Sequence, residues 1–198
     1  MEQTQNEIES INPRSKNLTN HSGIVLLEQT IKYWEKDYIN TIINKISNHK
    51  DKMLLFSLWR TGLRITEIIN IKKQDIDFKN YTMLVRYLKS RKYQNRIIPI
   101  HPQLKDLLQL YSAGMNQEDK LFPFTRQRAD QIVKTYFGSE GYCHRFRHSF
   151  AVNWLRSGGN IVDLHRLLGH AKIQTTMEYL KIVPTDLGKE LLKIDFGG

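Results

Sequence analysis

The feature that most limits how this chain can fold is one block of β-pattern inside an otherwise helical sequence. Over residues 76–88 and again over 96–100, the aromatic and β-branched residues Ile76, Phe78, Tyr81, Val85, Tyr87, Ile97, Ile98 and Ile100 cluster with Met83. Such residues suit the pleated, half-buried surface of short strands. Between the two stretches lies the basic connection KSRKYQNR. Pro99 has no N–H to give to a ladder, so the last strand is at an edge or is ending. Elsewhere apolar residues recur at spacings of three and four, the mark of helices. Before the block, helices are expected over 25–47, from Asp51 through Trp59 and from Thr66 to about Asn70, with Asn48, His49, Thr61 and Gly62 as punctuation. After it, they are expected near 102–112, 126–137, 144–157 and 160–168, and in a short piece containing Thr176 to Lys181. Pro184 breaks the chain, and Thr185 to Ile194 reads as a last amphipathic helix. Helices flanking a small antiparallel sheet define a mainly helical α+β fold. The expected organisation is a flexible arm over 1–24, one domain over 25–183, and a tail or exchanged helix over 184–198.

Charge narrows the class of partner. The chain carries a formal net charge of +10, yet residues 1–50 are neutral overall, so the surplus lies in the rest. A basic folded region suits a polyanion, most often nucleic acid, although a basic surface also serves solubility. A single cysteine, Cys143, rules out an intramolecular disulfide and a clustered cysteine metal site. No apolar run is long enough for a membrane span. The polar start is unlike a secretory signal, so a cytoplasmic location and no membrane partner are expected.

Three stretches carry the chemistry: TGLRITEI at 61–68, HRFRHSFA at 144–151, and LLGHAKIQTTMEYL at 167–180. In a helix His144 and Arg147 share a face, while Phe146, Phe150 and Trp154 repeat at spacing four on another. The aromatic stripe can be buried while the basic pair points elsewhere. Arg64 follows Gly62 at an expected helix junction, and its planar fork can hold two phosphate oxygens at once. Taken alone, each of these features also has a purely structural reading.

Together the three stretches resemble the tyrosine recombinase, or phage integrase, family over about residues 48–183. The resemblance implies an integrase-type catalytic domain with Tyr179 as nucleophile. It places Arg64, His144, Arg147 and His170 on the scissile phosphate. It assigns a hairpin lysine to protonate the leaving 5′ oxygen: Lys89, with Lys92 as rival, because the turn reads about two residues longer than usual and lacks glycine. Glu67 is expected to orient a basic side chain, and Arg96 to touch DNA backbone or steady the hairpin. His148 reads as a helix support, and His144 as the proton partner of Tyr179. Arg126, Arg128 and Lys134 are candidates for DNA contact.

The implied reaction is attack of Tyr179 on a DNA phosphodiester, giving a 3′-phosphotyrosine bond and a free 5′ hydroxyl. No cofactor or metal is required, and Asp75 and Asp77 lack partners for a Mg²⁺ site. The implied partners are duplex DNA at a specific recombination site and further copies of the chain, as a tetramer on DNA. The stretch before Thr61 is too short for the amino-terminal DNA clamp of many members. Two other readings stay open: a type IB topoisomerase-like enzyme, and a DNA-binding regulator on a defunct recombinase fold.

Overall fold

The computed structural model describes residues 31–89 and 92–183, with only the backbone described at 88, 89, 92 and 93. Helices α1 (Lys36–Lys45), α2 (His49–Thr61) and α3 (Ile65–Ile68) lead into a 3-10 turn at Lys73–Asp75. Strands β1 (Ile76–Asp77), β2 (Thr82–Lys89) and β3 (Lys92–Pro99) form an antiparallel sheet in the order β1-β2-β3. Helices α4 (Pro102–Tyr111), α5 (Arg126–Phe137), α6 (Cys143–Arg156), α7 (Ile161–Leu168) and α8 (Ile173–Met177) follow, and a 3-10 turn at Glu178–Lys181 carries Tyr179. The expected mainly helical fold with one small antiparallel sheet is thus observed, and β3, with Pro99, is an edge.

Local chemistry explains several boundaries. Asn48, expected as an interruption, caps α2 by accepting from the N–H groups of Lys50 and Asp51. Thr125 and Asn160 cap α5 and α7 in the same way. Gly62 and Gly169 end α2 and α7 in the left-handed conformation, at φ 63° and 64°.

Three expectations are corrected. Residues 31–35 are not helical. Trp34 instead lies across α6, its backbone N–H donating to Ser149 Oγ at 2.8 Å, its ring 4.5 Å from Phe137 and 5.2 Å from Phe146. The strand expected over 76–88 is split, because Asp77 Oδ1 accepts from the N–H groups of Lys79 and Asn80 and closes a turn. The long connection is also overturned: β2 pairs with β3 as far as Lys89 opposite Lys92, so only two residues, 90 and 91, link them. Those two residues and the expected helix over 185–194 lie outside the described residues, as do the arm over 1–24 and the start of the first expected helix.

Helix α6 divides the apolar interior. Phe146 belongs to the larger core with Trp34, Phe137, Leu54, Leu58 and Ile68. Ala151 and Val152 face a smaller cluster with Leu164, Leu168 and Tyr179, and Phe150 touches both. The aromatic stripe read from the sequence therefore anchors the helix that carries His144 and Arg147.

Candidate active site

Arg147 ties the three sequence motifs together. Its side chain is fully buried, at 0% exposure, yet it meets no carboxylate among the described residues. One terminal nitrogen donates to the Gly62 carbonyl at 3.0 Å and the other to the Leu168 carbonyl at 2.8 Å. The two bonds reach the ends of α2 and α7, where left-handed glycines turn the chain. A Cβ at Gly62 would stand 2.4 Å from a Phe150 ring carbon, and one at Gly169 2.9 Å from Arg96 Cζ. Gly62 is therefore required by close approach to the Phe150 ring as well as by backbone conformation, and Gly169 by backbone conformation. Arg147 Nε is buried without a partner among the described residues.

Glu67 is bonded to two basic side chains. Buried at 2% exposure, it accepts two bonds from Arg96, at 2.9 and 3.0 Å. It also accepts from the backbone and side chain of Arg64, at 2.9 and 3.2 Å. These cations outweigh its burial and hold its carboxyl below the usual range. Through these bonds Arg96 ties β3 to α3. Arg64, Arg96 and Arg147 all lie close enough to interact, with Glu67 as the counter-charge. Three guanidinium groups against one carboxylate leave the cluster cationic, and a partly buried cationic surplus calls for an anion.

The histidines complete the surround. Burial first, then the charges of Arg147 and Arg64, lowers His144 to about 4 and His170 to about 3. His170 Nδ1 lies 2.8 Å from Thr176 Oγ1, and His165 Nδ1 lies 3.2 Å from the same oxygen. Thr176 has one proton to donate. With that proton on the nearer ring, His170 keeps its own on Nε2, the form that can donate to a phosphate oxygen.

Tyr179 is 3% exposed in this structure. Burial raises its hydroxyl pKa, while Arg147 and Arg64 act in the opposite direction. Its hydroxyl lies 2.9 Å from His148 Nδ1. His148, read from the sequence as a helix support, is thus the observed hydrogen-bond partner of the tyrosine. No such bond joins His144 to Tyr179 among the described residues; His144 packs edge-on to His148 at 4.7 Å. The signal for His148 was its position one turn beyond His144, on the same helix face.

Lys89 and Lys92 are Cα partners, in the same alternation phase as the Val85–Arg96 pair. Directly opposed positions lie only about 5 Å apart. The register therefore brings both lysines to one point of the hairpin, and backbone position does not separate them. Arg126 and Arg128 are exposed on the first turn of α5 and Lys134 is exposed farther along; Arg126 is near enough to act on His144. Asp75 is bonded to Arg86, and no group of three metal-ligating side chains occurs among the described residues.

The buried neutral rings predict a pH dependence. His148 is lowered to about 4 by burial and by His144, Arg147 and Arg145. His148 and His170 therefore bind protons more readily in the unfolded chain, and stability rises with pH between their folded and unfolded values. It is fully present above about pH 6.5 and is lost as pH falls towards 4. His144 keeps an exposed face, so solvent screens its share. The urea midpoint should fall between pH 7 and pH 5, and replacing His148 and His170 by asparagine should flatten that slope. An unchanged midpoint in the parent protein over this interval contradicts the burial of neutral rings.

Comparison with known proteins places this arrangement. The fold is that of an integrase-type catalytic domain. The catalytic domain of bacteriophage HP1 integrase superposes with a TM-score of 0.66, covering 85% of this chain and 98% of that one at 22% identity. A XerA recombinase crystal structure gives 0.62, covering 81% and 63% at 22% identity. The Phage integrase family profile matches residues 32–185, and the chain belongs to that family. Tyrosine recombinase XerA of Saccharolobus solfataricus is 34% identical over 166 residues, 82% of this chain. The chain spans 56% of that relative's length.

Proposed function

We propose that residues 25–183 form the catalytic domain of a tyrosine site-specific recombinase, cleaving and rejoining duplex DNA through a 3′-phosphotyrosine bond. The observation that carries this reading is Arg147: a buried guanidinium with no carboxylate partner among the described residues, in a cationic cluster beside a buried tyrosine. A phosphodiester supplies the missing negative charge. Arg64, Arg147 and His170 would hold its non-bridging oxygens, and hold them more strongly as charge grows in the pentacovalent transition state. Tyr179 attacks phosphorus, and the lysine at position 89 or 92 gives a proton to the departing 5′ oxygen. The covalent link conserves the bond energy, so rejoining needs no nucleotide. Base-independent phosphate contacts, with Arg126, Arg128 and Lys134 as candidates, would make binding fall steeply with salt. Assembly into a tetramer on its DNA site would pair the cleavage events that strand exchange requires.

The test is a nicked duplex that loses the short fragment bearing the new 5′ hydroxyl after cleavage and so traps the covalent state, incubated in EDTA. The parent protein should form a protein–DNA adduct. Tyr179→Phe should bind the same duplex and form none. An equal adduct with Tyr179→Phe would remove the tyrosine from the reaction. A 5′-phosphorothiolate substrate then separates the lysines, because sulfur leaves without a proton: only the true general acid's alanine variant should regain its rate.

A further inference from the structure

We infer that His148, rather than His144, accepts the proton of Tyr179 during cleavage and returns it during rejoining. The inference rests on the phosphotyrosine reading above and adds a residue to it. Its basis is geometric. Tyr179 Oη has one hydrogen-bond partner among the described residues, His148 Nδ1 at 2.9 Å. The two rings lie 5.8 Å apart at a tilt of 56°. A phenol has one proton to give, and a buried donor left without an acceptor is unfavourable. The pair is satisfied when Tyr179 donates to Nδ1 and His148 carries its own proton on Nε2.

The surroundings keep the ring ready for that role. His148 is faced by His144, Arg145 and Arg147 from its own helix and by Tyr179 from the turn after α8. Burial and these neighbours hold it neutral, hence with a free lone pair. His144, edge-on at 4.7 Å, lies at the surface and is free to donate to the phosphate. The tasks thus divide between adjacent turns of α6: His144 stays with the phosphate oxygen and His148 with the attacking oxygen.

The step balances. As the bond from Oη to phosphorus forms, the phenolic proton passes to His148 Nδ1. The bond from phosphorus to the 5′ oxygen breaks, and that oxygen takes a proton from the hairpin lysine. In rejoining, the 5′ hydroxyl attacks phosphorus and returns its proton to the lysine. The departing phenolate recovers the proton from His148.

The experiment is single-turnover adduct formation on the nicked duplex, from pH 6 to 9, with His148→Phe, His148→Asn and His148→Ala. Phenylalanine keeps the ring volume without an acceptor, whereas asparagine places an amide oxygen near the Nδ1 position. His148→Phe should slow adduct formation by about 10²–10³-fold. Its rate should rise about tenfold per pH unit through pH 7–9, because phenolate must form first. The parent rate should be flat there. His148→Asn, whose amide oxygen can orient the phenol but cannot take its proton, should keep the steep pH rise, added imidazole should rescue His148→Ala, and rejoining should slow by the same factor as cleavage. DNA binding should be unchanged. If His148→Phe and His148→Asn both match the parent in rate and pH profile, the inference is overturned while the phosphotyrosine reading stands. It is also overturned if all variants slow equally with a flat pH profile and no imidazole rescue, which marks a structural role. Absence of any adduct from the parent overturns the reading on which it rests.

Discussion

Arg147→Met is expected to lower covalent capture of nicked DNA by about 10³-fold, the scale of losing a preorganised charge donor, while shifting the melting temperature by only a few degrees in either direction. The small stability change follows from opposing effects. The Gly62 and Leu168 carbonyls lose their donors, at about 1–3 kcal/mol each. Against this, a buried cation without a carboxylate partner is removed, and its desolvation penalty is several kcal/mol. A loss of activity with retained stability is the signature of a charge kept for function. Arg147→Lys should also be slow, since an ammonium keeps the charge but lacks the fork that spans both carbonyls. Trapping by Arg147→Met at the parent rate would take Arg147 out of the chemistry.

Glu67→Ala should behave in the opposite way and lose stability first. Glu67 is the carboxylate that holds Arg96 by two bonds and Arg64 by two more. Removing it leaves Arg96 buried and unopposed beside Arg64 and Arg147. Breaking a buried ion pair from one side costs about 3–5 kcal/mol. Activity should fall as well, because Arg64 loses the group that orients it. Glu67→Gln, which keeps acceptor geometry on one atom, should be less severe. Equilibrium denaturation of both variants beside the parent decides the matter; a Glu67→Ala protein as stable as the parent would mean that Glu67 does not neutralise the cluster.

These two residues also show how far the sequence could be read. The fold class was legible because β-pattern is confined to one stretch and helical spacing fills the rest. Arg64, His144, Arg147 and His170 were legible as candidates because short-range spacing and family motifs mark them. What the spacing could not show was direction. His144 and Arg147 share a helix face, yet one stays at the surface and the other is fully buried, because the Gly62 and Leu168 carbonyls draw the guanidinium inward. The carbonyls belong to segments far away in the chain. The bond between His148 and Tyr179 was hidden for the same reason: the partner stands 31 residues along, and only the path through α7 and α8 brings it there. The hairpin lysines stayed paired because a two-residue connection sets Lys89 opposite Lys92.

The central claim is that Tyr179 itself becomes bonded to DNA, and the most direct measurement identifies the modified residue. The adduct formed on nicked duplex in EDTA would be digested with nuclease and protease, and the nucleotide-bearing peptide sequenced by mass spectrometry. The account predicts a single phosphonucleotide on Tyr179, attached through the 3′ phosphate. A nucleotide on any other residue, or linkage through a 5′ phosphate, would contradict it.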